Sequence, residues 1–460
     1  AAAQFGPPMP CLIAAPASGS GKTLVSLALA ALARRRGLSL QTFKVGPDYL
    51  DPQLLSLASG RACRNLDALL CGGPWLQQSF QRHGAQADLC LVEGVMGLFD
   101  GKGPSTEGSS AHVASLLQLP IVLVVEASRQ AGSLAALVRG FRDHDPSLTI
   151  AGVVLNGVGS PRHEALLREA LASIAMPVLG ALPRHTSLEL PSRHLGLLPA
   201  HELEDVQLRL EAWATLAEAH LDLEQLWPLL NAPAPGEAAP APAAPASDPV
   251  PVALASDAAF HFRYPEAIEL LEQNGLIVEP WSPLADEPLP QGCRGVILPG
   301  GYPELHADTL TASSRSLAAL RQARQMGLPI YAECGGLLLL GKGLEDQDGV
   351  LHPMAGLLPF QARRGSLSLG YRQASPRCNG LVVRQGETLW GHEFHRWQLD
   401  QGNPGEAALW DLEGWGSPAR SEGWGDGQLH ASWLHLHWGG CPAIPERFAA
   451  TARLAAPLGR

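Results

Sequence analysis

A chain of 460 residues, 46% of them hydrophobic, carries enough apolar side chain for more than one core, and its length predicts roughly two or three domains. A net charge of −11 without any lysine/arginine run argues against a nucleic-acid face, and no apolar stretch approaches the roughly 18 residues that cross a bilayer. The eight cysteines form neither a CxxC pair nor a His/Cys cluster with zinc spacing, so free thiols in a reducing cytoplasm are expected rather than disulfides.

Cys11 to Ala15 is apolar but short and lacks a basic flank. It leads straight into a glycine-rich loop, so it reads as a first strand and not as a secretion signal. A helix is predicted over Leu24 to Arg35. Further strands are predicted at Leu40 to Val45, Leu89 to Glu93, Ile121 to Glu126 and Ala151 to Asn156. Short apolar strands between helical patterns imply a parallel sheet covered on both faces. Helical patterning around Glu202 to Leu229 closes this part. The Ala/Pro-rich residues 231–249 cannot build a core and read as a semi-extended linker. Strand–helix alternation resumes with Val252 to Ala255, Gly295 to Leu298 and Leu328 to Ala332, and the scattered glycines and tryptophans after 360 predict a less regular sheet. The expectation is an α/β chain, with a phosphate-binding domain over 1–230, a linker over 231–249 and a second α/β domain over 250–460.

The first candidate site is Pro16-Ala17-Ser18-Gly19-Ser20-Gly21-Lys22-Thr23. Glycines let successive backbone N–H groups curl around phosphate oxygens, and the helix that follows presents its positive end. Gly19, Ser20 and Gly21 would cradle ATP, Lys22 reach its terminal phosphates and Thr23 meet magnesium. The strict GxxxxGK[ST] pattern has glycine where Pro16 stands, so the match is partial. Magnesium wants hard oxygen ligands. Asp48 and Glu93 lie at predicted strand ends, where ligands sit in such sheets, with helix or turn capping as the alternative. Asp51 and Asp100 are weaker candidates beside the substrate. Asn156 reads either as a contact to the adenine edge or as a turn residue.

The second candidate site is Tyr331-Ala332-Glu333-Cys334-Gly335-Gly336. Strand, tight small-residue turn and helix make an elbow that exposes a nucleophile, and the helix N-terminus is expected to lower the thiol pKa. Pro299-Gly300-Gly301 ends another strand. Its N–H groups, with that of Gly335, would stabilise an oxyanion. His435 or His437 supplies the base; both fall on one face of an extended segment, so alternation does not choose between them. The histidines of Gly391-His392-Glu393-Phe394-His395-Arg396-Trp397 read equally as site or structure, and the other seven cysteines as structural.

Cys334, Pro299-Gly300-Gly301 and a late histidine resemble class I glutamine amidotransferases, whose histidine is followed by His-x-Glu; here His437 stands at the glutamate's place. The N-terminal part resembles the dethiobiotin synthetase-related P-loop family, with Ala17 where chromosome-partitioning ATPases carry an extra lysine. Lys44-Val45-Gly46-Pro47-Asp48-Tyr49-Leu50-Asp51-Pro52, Asn65-Leu66-Asp67, the stretch Val92 to Gly101, the stretch Ala255 to Glu266 and Gly391 to His395 together resemble the cobyrinic acid a,c-diamide synthase family across nearly the whole chain. Arg263, where an aromatic is more usual, and the Ala/Pro linker depart from its pattern.

The resemblance implies that the a and c acetates of a corrinoid ring become amides, each consuming one L-glutamine and one ATP, with Mg2+. It implies His435 as the base, with His437 behind it, and a homodimeric assembly is compatible with it. Lys44, Lys102, Arg184 and Arg193 stand as candidates to meet the ring carboxylates, each equally readable as a surface charge. Two rivals are the same chemistry on hydrogenobyrinic acid or a nickel sirohydrochlorin. A third, of another class, is a P-loop switch protein with an inactive amidotransferase domain.

Overall fold

The computed structural model describes residues 9–184, 190, 192–193, 196–197, 199–237, 248–403 and 405–459. The chain divides between Pro240 and Ala241 into two compact units. The middle of the expected linker, 238–247, lies outside the described residues. Its first part does not stand free: Asn231 bridges to Leu89, and a methyl group at Gly84 would lie 2.7 Å from the Pro233 ring.

The first unit is built on a seven-stranded sheet of β1 (Leu12–Ala14), β2 (Leu40–Val45), β3 (Arg64–Leu66), β4 (Leu89–Glu93), β5 (Ile121–Glu126), β6 (Ile150–Val158) and β7 (Val178–Pro183). The order is β3-β2-β4-β1-β5-β6-β7, and every pairing is parallel. Alternation along β1 shows why its run is apolar throughout. Ile13 packs with helix α1 (Lys22–Arg35) on one face, while Leu12 and Ala14 pack with Phe43, Val92 and Val125 on the other. Both faces are buried, as a parallel sheet requires. Helix α1 is rich in alanine, and Leu27 to Ala33 are all buried between the sheet and the helix Val206–His220. β3 and β7, which the sequence did not announce, extend the two edges. A two-residue antiparallel pair, β8 (Ser192–Arg193) and β9 (Gly196–Leu197), lies outside the sheet.

The second unit holds β10 (Val250–Ala255), β11 (Leu276–Trp281), β12 (Val296–Leu298), β13 (Ile330–Glu333), β14 (Gly343–Glu345), β15 (Leu351–Pro353), β16 (Gln361–Pro376), β17 (Leu389–Leu399), β18 (Trp410–Gly414), β19 (Ser417–Glu422), β20 (Trp424–Gly425) and β21 (Leu429–Ser432). Its central sheet runs β11-β10-β12-β13-β21-β20, parallel except for the last pair. Val296, Leu298 and Ala332 face one core, and Ile297 and Tyr331 the other. Beyond 360 the structure is more regular than expected. β16 and β17 form a long antiparallel pair with one irregularity between Arg364 and Ser368, and β18 and β19 continue the sheet from β16. Among the described residues no helix is long and apolar enough to cross a membrane, and no cysteine is in a disulfide.

Candidate active sites

The phosphate loop leaves the carboxyl end of β1, the central strand of its sheet, and ends at α1. Gly19 and Gly21 take φ values of 79° and 107°, a left-handed region open chiefly to glycine. Gly21 has a second reason to lack a side chain, since a methyl group there would lie 2.3 Å from Asn156 Nδ2. That Nδ2 donates to the Ser20 carbonyl at 3.0 Å, so Asn156, on β6, fixes the loop backbone. Lys22 Nζ donates to the Met96 carbonyl at 2.8 Å. Burial, reinforced by the ammonium of Lys44, lowers its pKa to about 8 against the pull of Glu93, Asp51 and Asp100.

Lys44 is the charge centre of this half-site. Its Nζ lies 2.7 Å from Asp51 Oδ2, 3.2 Å from Glu93 Oε2, 2.9 Å from the Gly94 carbonyl and 3.8 Å from Asp48 Oδ2. Burial alone would discharge it; Asp51, Glu93 and Asp48 outweigh burial and hold it protonated. At 2% exposure Lys44 is not a solvated surface charge: its one ammonium is shared among three carboxylates. Burial would also raise Asp51, but Lys44 holds it below the ordinary carboxylate range. Burial raises Asp48, aided by the charge of Asp51, to about 7, and burial raises Glu93 against Lys44.

The metal set shifts with this geometry. Asp48 Oδ1 accepts the N–H groups of Leu50 and Asp51 at 2.8 and 3.2 Å and so starts helix α2 (Leu50–Ser59). Thr23 Oγ1 instead faces Asp51 Oδ2 at 3.5 Å, and Glu93 Oε1 is buried with no hydrogen-bond partner among the described residues. No three His, Cys, Asp or Glu side chains among the described residues converge on a metal-sized point. The set that a nucleotide's magnesium uses is smaller, a hydroxyl and one or two carboxylates, and Thr23, Asp51 and Glu93 fit it. Asp100, expected beside the substrate, accepts the Gly97 N–H at 2.8 Å and closes the turn after β4. Asn65 Nδ2 ties the loop after β2 through the carbonyls of Gly46 and Asp48. Lys102 pairs with Glu107, Arg184 donates to the Ser128 carbonyl, and the Arg193 side chain lies outside the described residues.

In the second unit Cys334 follows β13 with φ 45° and ψ −103°, a strained conformation for a residue with a Cβ, and starts the helix Gly335–Leu340. Its N–H donates to the Ser432 carbonyl at 2.8 Å. The turn is tight: a methyl group at Gly336 would lie 2.1 Å from the Leu298 carbonyl oxygen. A methyl at Gly335 would lie 2.8 Å from the Gly301 nitrogen, and one at Gly300 2.7 Å from His435 Cε1. The nucleophile, the glycine pair and His435 are thus brought together from three segments.

The fourth segment is β17. Cys334 Sγ donates to the Phe394 carbonyl at 3.7 Å, and His392 and His435 exchange backbone hydrogen bonds of 2.9 and 2.8 Å. Within the same strand Glu393 is fully buried. It accepts from Arg372 Nε at 2.8 Å, from Arg420 and from His395 Nε2 at 2.9 Å, while the His395 ring stacks on Trp433 at 3.7 Å. The Gly391–Trp397 motif is therefore both wall and scaffold of the thiol site. Glu422 anchors the opposite side, accepting from Ser432 Oγ at 2.6 Å, the Trp433 N–H at 2.8 Å and Trp410 Nε1 at 2.7 Å.

Two expectations for the thiol change. It is 5% exposed, and its pKa stands well above the ordinary cysteine value, because burial comes first and the charges of Glu304 and Glu333 add to it. The Gly335 N–H pulls the other way without prevailing. The two histidines also separate. His437 Nδ1 accepts the Gly439 N–H at 3.0 Å, its Nε2 lies 3.6 Å from Glu266, and its ring packs on Tyr264 at 4.3 Å. His435 lies beside Gly300, with Nδ1 3.6 Å from Glu333 Oε2. Glu333 is a site residue that the sequence motifs do not single out; its one local signal is a carboxylate at the end of an otherwise apolar strand, next to the nucleophile.

Comparison with known proteins agrees in both units. Residues 11–198 match the CobQ/CobB/MinD/ParA nucleotide binding domain, and residues 251–442 match the CobB/CobQ-like glutamine amidotransferase domain. The cobyrinate a,c-diamide synthase of Synechococcus sp. is 42% identical over 98% of this chain and 100% of its own length. That of Gloeobacter violaceus is 44% identical over 96% of each chain. The hydrogenobyrinate a,c-diamide synthase of Streptomyces coelicolor is 43% identical over 96% of this chain and 97% of its own.

Proposed function

The chain belongs to the cobyrinate a,c-diamide synthase family, and from that membership we propose that it amidates the a and c acetates of cobyrinate in cobalamin biosynthesis, taking nitrogen from glutamine and driving force from ATP. The observation that carries this reading is the presence in one chain of a phosphate loop on β1 and a strained cysteine on β13, over a length its relatives share almost entirely.

In the second unit, glutamine enters between the elbow and the glycine pair. His435 takes the Cys334 proton as the sulfur attacks the carboxamide carbon, so the buried thiol is ionised only when its target is present. Backbone N–H groups around Gly300, Gly301 and Gly335 donate to the oxyanion. His435 returns a proton to the departing nitrogen, ammonia leaves, and water hydrolyses the thioester to glutamate and free thiol.

In the first unit, Gly19, Ser20 and Gly21 cradle the phosphates of ATP and Lys22 leaves its Met96 contact for their terminal charge. Thr23, Asp51 and Glu93 would hold magnesium, which supplies charge neutralisation at the transferring phosphoryl group. The ring acetate takes the γ-phosphoryl group and becomes an acyl phosphate, ammonia attacks its carbonyl carbon, and phosphate departs. A carboxylate is a poor electrophile and its acyl phosphate a good one, so nucleotide cleavage has to precede nitrogen transfer. Free, mostly buried cysteines support a reducing, cytoplasmic setting.

A second reading, the cobalt-free ring, is supported by the 43% identity to a hydrogenobyrinate enzyme. Incubation of the protein with glutamine, ATP and either cobyrinic acid or its metal-free analogue, followed by mass spectrometry, tests both. Diamide from cobyrinic acid is the expected product. Diamide from the metal-free ring alone would move the assignment to the second reading, and no amide from either would refute both.

A further inference from the structure

Glutamine amidotransferases of the class I type orient their histidine with an acid, and the residue two places after His435 is His437, which cannot serve. We propose that Glu333, directly before the nucleophile, is the positioning residue for His435. The inference rests on the amidotransferase reading above.

Four observations carry it. Glu333 Oε2 is the carboxylate oxygen 3.6 Å from His435 Nδ1, and the two side chains are 9% and 1% exposed. In so enclosed a place the pair is screened far less than a surface ion pair. The other oxygen is fixed: Glu333 Oε1 accepts from the Tyr331 hydroxyl and from the Leu436 N–H at 3.2 Å. The hydroxyl is itself met by Trp438 Nε1 at 3.4 Å, so donors from β13 and from the segment after β21 together hold the carboxylate in one orientation. With Nδ1 directed to the acid, Nε2 is left for proton exchange with the sulfur and the departing nitrogen. A separation of 3.6 Å is long for a hydrogen bond, but such contacts in ligand-free sites tighten when substrate binds.

The placement also accounts for an apparent cost. A carboxylate beside the nucleophile opposes thiolate formation, and Glu333 does so here. Once the proton has moved to His435, the imidazolium stands with Glu333 on one side and the sulfur on the other, and the same carboxylate stabilises the reactive ion pair. Glu266 does not take this part for His435, since it faces His437 Nε2.

The test uses the full chain and reads two activities. Glu333→Gln keeps an oxygen for the Leu436 N–H and removes the charge. It should lower glutamine hydrolysis and glutamine-driven amidation about a hundredfold through kcat, leave KM for glutamine within twofold, and leave ammonium-driven amidation unchanged. The acid limb of its glutaminase pH profile should move to lower pH, because the base that takes the Cys334 proton has lost the carboxylate that favours its charged form; a purely structural role would not move it. Glutamine hydrolysis within twofold of the parent, or an unmoved acid limb, would overturn the proposal. Should Glu333→Gln cost ammonium-driven amidation as well, Glu333→Asp takes its place, keeping the charge and withdrawing it by one methylene. A selective loss of glutamine hydrolysis then upholds the proposal, and unchanged hydrolysis overturns it. Loss of amidation with both nitrogen sources in the unmutated chain would instead refute the synthetase reading itself.

Discussion

Buried charge is managed differently in the two units. In the first, Asp48, Asp51 and Glu93 gather around one buried ammonium, so the half-site's polar groups are fixed by a standing charge before any ligand arrives. In the second, Cys334 is kept as a thiol by burial and by the neighbouring carboxylates Glu304 and Glu333. A site that binds a polyanion and its metal gains from charges already fixed in place, because reorganisation at the moment of reaction is costly. A site that forms a covalent bond to sulfur gains from a nucleophile that stays neutral until glutamine is seated, since a standing thiolate is open to oxidation. The difference lets the nitrogen-releasing and nitrogen-accepting half-sites be disabled one at a time.

The largest expected effect is at the sulfur. Cys334→Ser should reduce glutamine-driven amidation by at least about 10⁴-fold and leave ammonium-driven amidation within twofold; equal loss of both would show that the half-sites are not chemically separate. Lys22→Ala should depress amidation with either nitrogen source by about a hundredfold to a thousandfold. Full activity in that variant would remove the loop from the phosphoryl-transfer site.

Lys44→Met tests the fixed-charge account through stability. Three carboxylates would lose their common partner, and breaking a buried ion cluster in this way costs roughly 3–5 kcal/mol. Denaturant unfolding should show the loss in the first unit, and an unchanged midpoint would mean the carboxylates need no cation. Asn156→Ala should raise KM for ATP by about tenfold at little cost to kcat, as expected for a residue that positions the loop through a single hydrogen bond of ~1–1.5 kcal/mol. An unchanged KM would deny it that role.

The smallest effect concerns pH. His430 stacks on Tyr331 at 4.8 Å, neither ring nitrogen has a hydrogen-bond partner among the described residues, and burial lowers its pKa from 6.5 to about 3. Between those values the unfolded chain takes up a proton that the folded chain refuses, so stability falls as pH drops from 6.5 toward 3. His430→Phe keeps the stack and should flatten that decline by about one proton per molecule, as read from unfolding midpoints across the window. A slope equal to that of the parent would show that His430 is not neutral in the fold.

The phosphate loop and the parallel sheet were readable in the sequence because their information is contiguous: β1, the loop and α1 follow one another within twenty-four positions, Leu12 to Arg35. The cysteine elbow was readable for the same reason. The setting of Lys44 is not legible, because its partners come from β4 and from the loop and helix after β2, and a lysine near a strand end gives no local sign of which carboxylates will enclose it. Glu333 is not legible locally because its meaning lies in His435 and Leu436, more than a hundred residues on. β16 is hard to read locally because Gln361 to Pro376 is rich in Arg, Ser and Gly, so its strand character rests on pairing with β17 and β18 and not on its own residues.

The central claim is that sulfur-released nitrogen, and not ammonia taken from solution, reaches an acid activated by ATP. The most direct measurement offers the protein cobyrinic acid, ATP, amide-labelled heavy-nitrogen glutamine and unlabelled ammonium salt together, and weighs the product. Two heavy amide nitrogens in each diamide, with ATP cleaved in step, are the predicted result. A product carrying only light nitrogen, or heavy nitrogen incorporated without ATP cleavage, would contradict it.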